Sequence, residues 1–268
     1  MCGSPVSSPT LVEGLDSIVA LTSGMDHTCA LRSDGSLFCW GLNQYAQLGI
    51  GAIEGHIPFD SCSPVLVPDL AAVTSVSGEG LATCALASCK DVWCWGGNVV
   101  SSWEYDGLDV GGSTPVFIAT VQGARAVSGT CLVTATHTVS CWERTPVLDE
   151  DALFAGATPW DAAVPIVVPE LNDVDSITAF GRYVLKTDGT VWCWHCADTP
   201  DLVVPGAQEP PWQVPGLYDV TFVAGSGVHT CALTQDGRIL CWGENEDGQL
   251  GNGTTESMQG PAEVKFDE

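Results

Sequence analysis

Thirteen cysteines stand in this 268-residue chain, and eight of them recur at a single spacing. Cys29/Cys39, Cys84/Cys94, Cys131/Cys141 and Cys231/Cys241 are each ten positions apart. Two thiols so placed can supply half of a tetrahedral metal shell or can oxidise to a disulfide. In the first and last pairs the midpoint falls on the Asp of an Asp-Gly, Asp34 and Asp236. A two-residue Asp-Gly loop would set Cys29 opposite Trp40 and forbid a bond. A three-residue loop, Ser33-Asp34-Gly35 with the glycine left-handed, sets Cys29 opposite Cys39. Counting out from that turn makes 29 and 39 a non-hydrogen-bonded pair, where Cα atoms approach to about 4.5 Å. That approach lies inside the disulfide range. Four repetitions favour four hairpin disulfides over a metal site, and with them an oxidising compartment outside the cytosol.

Five cysteines remain, Cys2, Cys62, Cys89, Cys193 and Cys196. Tyr183 stands where Cys193 needs its hairpin partner, which leaves Cys196 as the nearest substitute. Cys89 falls at a turn and Cys62 in the loop before it, so these two could pair. Cys2 is followed by Gly-Ser-Pro-Val-Ser-Ser-Pro. Residues 1–8 read either as a flexible tether lipidated at Cys2, as in a bacterial lipoprotein freed of its signal peptide, or as a frayed terminus with an incidental thiol.

The cysteine pairs sit inside a larger repeat. Five copies read HTCALRSDGSLFCWG (27–41), LATCALASCKDVWCWG (81–96), GTCLVTATHTVSCWE (129–143), GRYVLKTDGTVWCWH (181–195) and HTCALTQDGRILCWG (229–243). A second box, P-x-x-V-P-x-L or a variant, begins at Pro9, Pro64, Pro115, Pro165, Pro211 and Pro261. A period of about 50 residues belongs to propeller blades and similar arrays. Each copy reads as strand, tight turn, strand. Leu31 and Leu37 flank the cysteines on one face, while Ala30, Phe38 and Trp40 make the other face apolar too. A hairpin apolar on both faces must be covered on both, as a blade between two blades is. Segments such as Ser17–Leu21 and Val220–Val223 supply a further strand, and the proline box a fourth, at an edge where Pro is tolerated. The expected fold is an all-β propeller of five blades in one domain, 9–268, with repeats at 9–63, 64–114, 115–164, 165–210 and 211–260 and a closing strand at 261–268. The first and last boxes share one phase, so a terminal strand can close the ring by completing the blade begun at the other end. An open arc is the alternative.

Charge restricts the partners. Thirty-three acidic residues face eight basic ones, a formal charge of −25. Such a surface repels phosphate backbones and anionic lipid heads and would steer a cationic partner. No apolar run reaches the 18 residues of a transmembrane helix.

Copy five extends as H-T-C-A-L-x-x-D-G-x-x-x-C-W-G-x-N-x-x-G-Q-L-G, with Gly227 two positions before His229, and runs through Asp236-Gly237 and Trp242 to Gly248-Gln249-Leu250-Gly251. Copy one follows it from Gly24 to Gly49, with Ala46 in place of the first Gly of the G-Q-L-G turn. This string resembles the repeat of the regulator-of-chromosome-condensation family over roughly 9–268, weakly in copy two and in degenerate form in copies three and four. Its cysteines resemble those of secreted bacterial members. The resemblance implies a propeller, commonly of seven blades, whose ring face grips another protein. Guanine-nucleotide exchange is not carried over, because the chain is acidic and disulfide-rich and shows no wedge-like insertion.

Catalytic signatures are weak. His27 and His229 share one repeat position and read as structural. His137 replaces the turn glycine, a left-handed position that His tolerates. Cys193-Trp194-His195-Cys196 lacks a second pair to complete a metal site. The runs Asp149-Glu150-Asp151 and Glu244-Asn245-Glu246-Asp247 lack a recognised calcium-loop spacing, so no metal and no cofactor is expected. In copies two and three the G-Q-L-G turn is replaced by sequence holding Trp103, Tyr105, Phe154 and Trp160 among acidic residues. Aromatics on variable loops are the usual anchors of protein recognition. The function expected is a secreted or surface-tethered, non-catalytic protein-binding scaffold. Its binding residues are these four aromatics with Asp149, Glu150 and Asp151, and its partner offers a basic surface. The alternatives are an envelope structural module without a discrete ligand, and a hydrolase or lyase with an acidic site on the ring axis.

Overall fold

The computed structural model describes residues 11–51, 60–96, 114–129, 131–142, 165–178, 183–194, 211–225 and 228–266. Every regular element among them is a strand. Blade one is built from β1 (Ile18–Ser23), β2 (His27–Arg32), β3 (Leu37–Gly41) and β4 (Ser61–Leu66). Blade two follows with β5 (Val73–Glu79), β6 (Ala82–Ala87), β7 (Asp91–Gly96) and β8 (Val116–Thr120). Blade three has β9 (Ala124–Ser128), β10 (Cys131–Thr134), β11 (Val139–Trp142) and β12 (Pro165–Val168). Blade four has β13 (Val174–Ile177), β14 (Tyr183–Lys186), β15 (Val191–Cys193) and β16 (Trp212–Gln213). Blade five has β17 (Val220–Gly225), β18 (His229–Thr234), β19 (Ile239–Gly243) and β20 (Met258–Glu263). Each blade is a four-stranded meander in chain order, and the five are propeller blades.

The central hairpins have the register that the cysteines require. Arg32 N–H bonds to Ser36 O at 2.9 Å and Gly35 N–H to Arg32 O at 3.0 Å, which encloses the three-residue loop 33–35. Gly35 is left-handed at φ +85°, and Lys90 and His137 take that conformation in blades two and three at +76° and +60°. Cys29 faces Cys39, Cys84 faces Cys94 and Cys231 faces Cys241. All four pairs are closed disulfides, with Cα atoms 4.0–4.1 Å apart.

Two expectations are corrected. Sheet order joins each proline box to the hairpin before it, so the repeat boundaries 9–63, 64–114, 115–164, 165–210 and 211–260 cut the blades one strand out of phase. The box lies nearer in sequence to the following strand, but the open ladder of the Trp strand is what takes it up. The segment expected as the closing strand, 261–268, therefore contributes to β20 and finishes blade five beside β19, while β4 finishes blade one. Among the described residues, neither blade takes a strand from the far terminus.

By contact density the chain falls into two compact units, Met1–Leu132 with Cys141–Ile166, and Val133–Ser140 with Val167–Glu268. The first unit has cores around Leu31, Leu37, Leu48 and Trp95, and around Leu86, Val92, Leu132 and Trp142. The second has one around Val191, Val214, Leu217, Val220 and Trp242.

Second, Cys62 does not pair with Cys89. Cys62 is disulfide-bonded, whereas Cys89 is an exposed free thiol. Cys89 sits at a hairpin tip, and Cys62 in β4 lies near the opposite, Gly41 end of its blade. A strand of six residues separates those ends by about 20 Å. Cys193 is also disulfide-bonded. Cys2 and Cys196 lie outside the described residues.

Each hairpin disulfide spans a sequence separation of 10, and a loop of that length contributes about 2–3 kcal/mol in the chain-entropy treatment. Replacing Cys84 and Cys94 together by Ala should lower the unfolding free energy by about that amount, read from urea denaturation with midpoint and slope both fitted, since the unfolded chain expands when the cross-link is lost. An unchanged midpoint contradicts this assignment of the blade's stability.

Candidate functional site

Blade one carries its turn after the Trp strand on a network of side-chain amides. Asn43 Oδ1 accepts Leu48 N–H at 3.0 Å, and Gln47 Oε1 accepts Tyr45 N–H at 2.9 Å. These bonds aim the Gln47 carbonyl at blade two, where it accepts Trp95 Nε1–H and the Thr83 hydroxyl, each at 3.0 Å. Gly49 admits no side chain, because a Cβ there would stand 2.5 Å from Trp95 Nε1. The Asn-x-x-x-Gln-Leu-Gly string of copy one is thus a connector between blades. It is not a ligand loop.

His27 belongs to the same connector. Its Nε2 lies 2.8 Å from Thr83 Oγ1. The Thr83 proton is given to Gln47 O, so the hydroxyl accepts, and the imidazole carries its proton on Nε2. Nδ1 is then a bare, buried acceptor with no partner. A second proton would place a charge there without solvent or acceptor, and burial pushes the His27 pKa down to about 4. A neutral buried imidazole that makes one bond to a neighbouring blade is a packing residue.

The hairpin-turn end of the blades has a different chemistry. Asp34, Asp188 and Asp236 occupy one repeat position. Asp34 Oδ1 accepts Ser36 N–H at 2.9 Å, and Asp188 Oδ1 accepts Thr190 N–H at 3.0 Å and its hydroxyl at 2.6 Å. Asp236 accepts the Thr234 hydroxyl and Arg238 Nε–H. These bonds hold all three carboxyls below the ordinary carboxylate range: Ser36 N–H at Asp34, the Thr190 hydroxyl at Asp188 and the Thr234 hydroxyl at Asp236. Asp91 is lowered likewise by the Thr120 hydroxyl and then the Cys89 thiol. The turns of blades one, two, four and five therefore present fixed, exposed anions at neutral pH. Arg32, paired with Asp16 at 2.9 Å, and Arg238, paired with Asp236 at 2.9 Å, offset part of that charge. Beside the Asp236 turn a shallow open pocket of about 420 Å³ is lined by Tyr218, Asp219, Thr234, Asp236 and Arg238. Tyr218 is 63 % exposed. The sequence reading passed over it because it stands in a link between blades, outside the repeated strings.

Trp103, Tyr105, Phe154, Trp160, Asp149, Glu150 and Asp151, the residues expected to bind a partner, lie outside the described residues. In blade five, Glu244, Glu246 and Asp247 are exposed on the standard turn. No three His, Cys, Asp or Glu side chains converge to hold a metal ion among the described residues. Asn252, the acceptor of an Asn-Gly-Thr sequon, is 7 % exposed, and its Oδ1 accepts Thr254 N–H at 3.0 Å and the Thr254 hydroxyl at 2.8 Å. The folded turn thereby hides it from a glycosylating enzyme. No helix among the described residues is long and apolar enough to cross a membrane.

The depressed His27 pKa fixes one pH dependence. The unfolded chain holds a proton on this side chain between about pH 6.5 and 4 that the folded chain refuses. Folding stability should therefore be full above pH 6.5, fall as the pH drops through that window and be about 2 kcal/mol lower at pH 5. Urea titrations at pH 7.5 and pH 5 measure it, and His27→Gln should remove the difference.

Two profiles of the regulator of chromosome condensation (RCC1) repeat match, one over residues 18–47 and 220–249, the other over 34–86 and 236–268. The human E3 ubiquitin-protein ligase HERC2 is 29 % identical over 96 % of this chain, which spans only 6 % of that ligase. Among solved structures, human WBSCR16 superposes with a TM-score of 0.65 at 22 % identity, over 93 % of this chain and 67 % of its own. Yeast RCC1 (Prp20), solved bound to Kap60, does so at 0.57 and 15 % identity, over 93 % of this chain and 75 % of its own. With the repeat strings, the blade-to-blade tryptophan contact and the five four-stranded sheets in hand, residues 18–86 and 220–268 are repeats of the regulator-of-chromosome-condensation type within a five-bladed propeller.

Proposed function

We propose that this protein is a non-catalytic scaffold that binds another protein through the loops of its blades and works outside the cytosol. The observation that carries the reading is the acidic excess, thirty-three acidic residues against eight basic ones for a formal charge of −25, with Asp34, Asp188 and Asp236 exposed on the hairpin turns and Glu244, Glu246 and Asp247 exposed after the Trp strand of blade five. Such a surface steers a basic partner without a dedicated pocket. Four hairpin disulfides support an oxidising compartment, and lipidation at Cys2 would tether the scaffold to a surface. A relative in complex with Kap60 supports protein recognition as the family's use of this fold. Exchange of nucleotide on chromatin is left out of the proposal because a formal charge of −25 opposes chromatin.

The working surface is assigned to the loops of blades two and three, where Trp103, Tyr105, Phe154 and Trp160 act as anchors among acidic neighbours. The test is capture of a partner from the producing organism's surface fraction, followed by affinity measurement with variants. Trp103→Ala or Trp160→Ala should cost about 2 kcal/mol of binding. Neutralising Asp149, Glu150 and Asp151 should mainly slow association and flatten its salt dependence. Neutralising Glu244 and Glu246 in blade five should leave affinity unchanged. The opposite pattern, with blade five decisive, refutes the assignment.

A further inference from the structure

Arg32 and Lys186 hold one place in the repeat, the end of a blade's second strand, opposite Ile18 and Val174 at the start of the first. In both blades the basic side chain lies over an aromatic ring of the third strand. The Arg32 guanidinium stands 4.7 Å from the Phe38 centroid, and the Lys186 ammonium 4.4 Å from that of Trp192. In blade one the guanidinium also reaches the link that leads into β1. Its Nε–H donates to Asp16 O at 3.3 Å and its Nη2–H to Gly14 O at 3.4 Å, with Asp16 Oδ1 at 2.9 Å. A cation is thus held between a ring, a carboxylate and two carbonyls.

Blade five keeps the same seat and shortens the side chains that fill it. Register places Thr234 where Arg32 and Lys186 stand, opposite Val220, and Leu240 where Phe38 and Trp192 stand, opposite Ala232. Counting back from Ile18 and Val220 makes Gly216 and Tyr218 the counterparts of Gly14 and Asp16. The two glycines share a left-handed backbone, at φ +80° and +82°. Gly216, Tyr218, Thr234 and Leu240 line the open pocket of about 420 Å³. Thr in place of Arg or Lys, and Leu in place of an aromatic, account for that space. Here the link supplies the ring, through exposed Tyr218, and a carboxylate, through exposed Asp219 beside it. Arg238 lines the pocket too, but its Nε lies 2.9 Å from Asp236 Oδ2, so those two charges offset each other and Asp219 sets the sign. All of these residues belong to one compact unit.

We propose that this pocket takes an arginine side chain presented by the partner, a site that rests on the reading of the protein as a scaffold for a basic protein. The incoming guanidinium takes the place that Arg32 takes in blade one. It donates to the Gly216 and Tyr218 carbonyls, sets its charge against Asp219 and lays its plane on the Tyr218 ring and Leu240. Arginine suits the seat better than lysine, because one planar guanidinium serves several acceptors at once and stacks on an aromatic face.

The site can be tested before any partner is known. Nα-acetyl-arginine amide is titrated into the oxidised, nitrogen-15-labelled chain, with the uncharged isostere Nα-acetyl-citrulline amide as control. The arginine probe should shift the Tyr218, Asp219 and Gln235 amides saturably, with a dissociation constant on the order of a millimolar, and the citrulline probe should not. Thr234→Arg should abolish the response, since it fills the pocket from the chain's own strand as Arg32 does in blade one. Tyr218→Ala and Asp219→Asn should each weaken it about threefold. Asparagine keeps the left-handed backbone that Asp219 adopts at φ +52°. If Thr234→Arg fails to fold, these two exposed positions carry the test. An equal response to citrulline, shifts that do not saturate, or binding unchanged in both Tyr218→Ala and Asp219→Asn overturns the site. A captured partner that binds these two variants as tightly as the wild type leaves the scaffold reading standing and overturns this assignment alone. A saturable arginine response weakened in both variants upholds the site even where no partner is captured.

Discussion

The three-residue turn with a left-handed third position is the constraint on which the rest of this chain depends. One residue fewer in the loop would place Cys29 against Trp40, and every side chain of β3 would exchange faces. With the loop as it stands, cysteines meet cysteines, leucines share their face, and Phe38 shares the opposite face with Ala30. Both faces of the hairpin then become packing surfaces, and the strand-edge tryptophan points at a neighbour. Lys90 and His137 show that the demand is on backbone conformation and not on glycine itself.

Packing between blades rests on a second economy. A single carbonyl, Gln47 O, accepts both the tryptophan and the threonine of the next blade. Both of its lone-pair directions are thereby used, and the donors that reach it need no other partner. His27 extends the same chain of bonds by one member. Its unbonded Nδ1 costs little as long as the ring is neutral, because a bare nitrogen acceptor is far cheaper to bury than an unpaired cation.

Repeat-level features were legible because they are local. The disulfide pairs, the hairpin register and the short strands before each hairpin all follow from spacings of fewer than twelve residues. The placement of the proline boxes was not legible. Pro64 stands closer to β5 than to β3, and sequence distance suggested the wrong neighbour; the unpaired edge of β3 decides instead. The pairing of Cys62 was misread for a related reason, since proximity along the chain says nothing about which end of a blade a residue occupies. At the candidate site, the role of the Asn-Gln-Leu-Gly turn as a blade connector was hidden because the sequence does not reveal which donors its carbonyl meets. The acidic turn end was visible as composition but not as a surface, for its aspartates are scattered about fifty positions apart.

Contiguity of each blade has a consequence for how the protein matures. Among the described residues the strands of each blade follow one another in chain order, and in the four hairpins each cystine partner emerges only ten residues after the first. Oxidation can therefore keep pace with synthesis, one hairpin at a time, with the correct partner as the nearest thiol in three of the four blades. Blade two is the exception. Cys89 stands midway between Cys84 and Cys94, five residues from each, and in the unfolded chain it competes for both on better entropic terms. Only the folded turn, which carries Cys89 out to the hairpin tip beside Asp91, removes it from the exchange. The sorting of thiols in this blade is thus a result of folding and not a precondition for it.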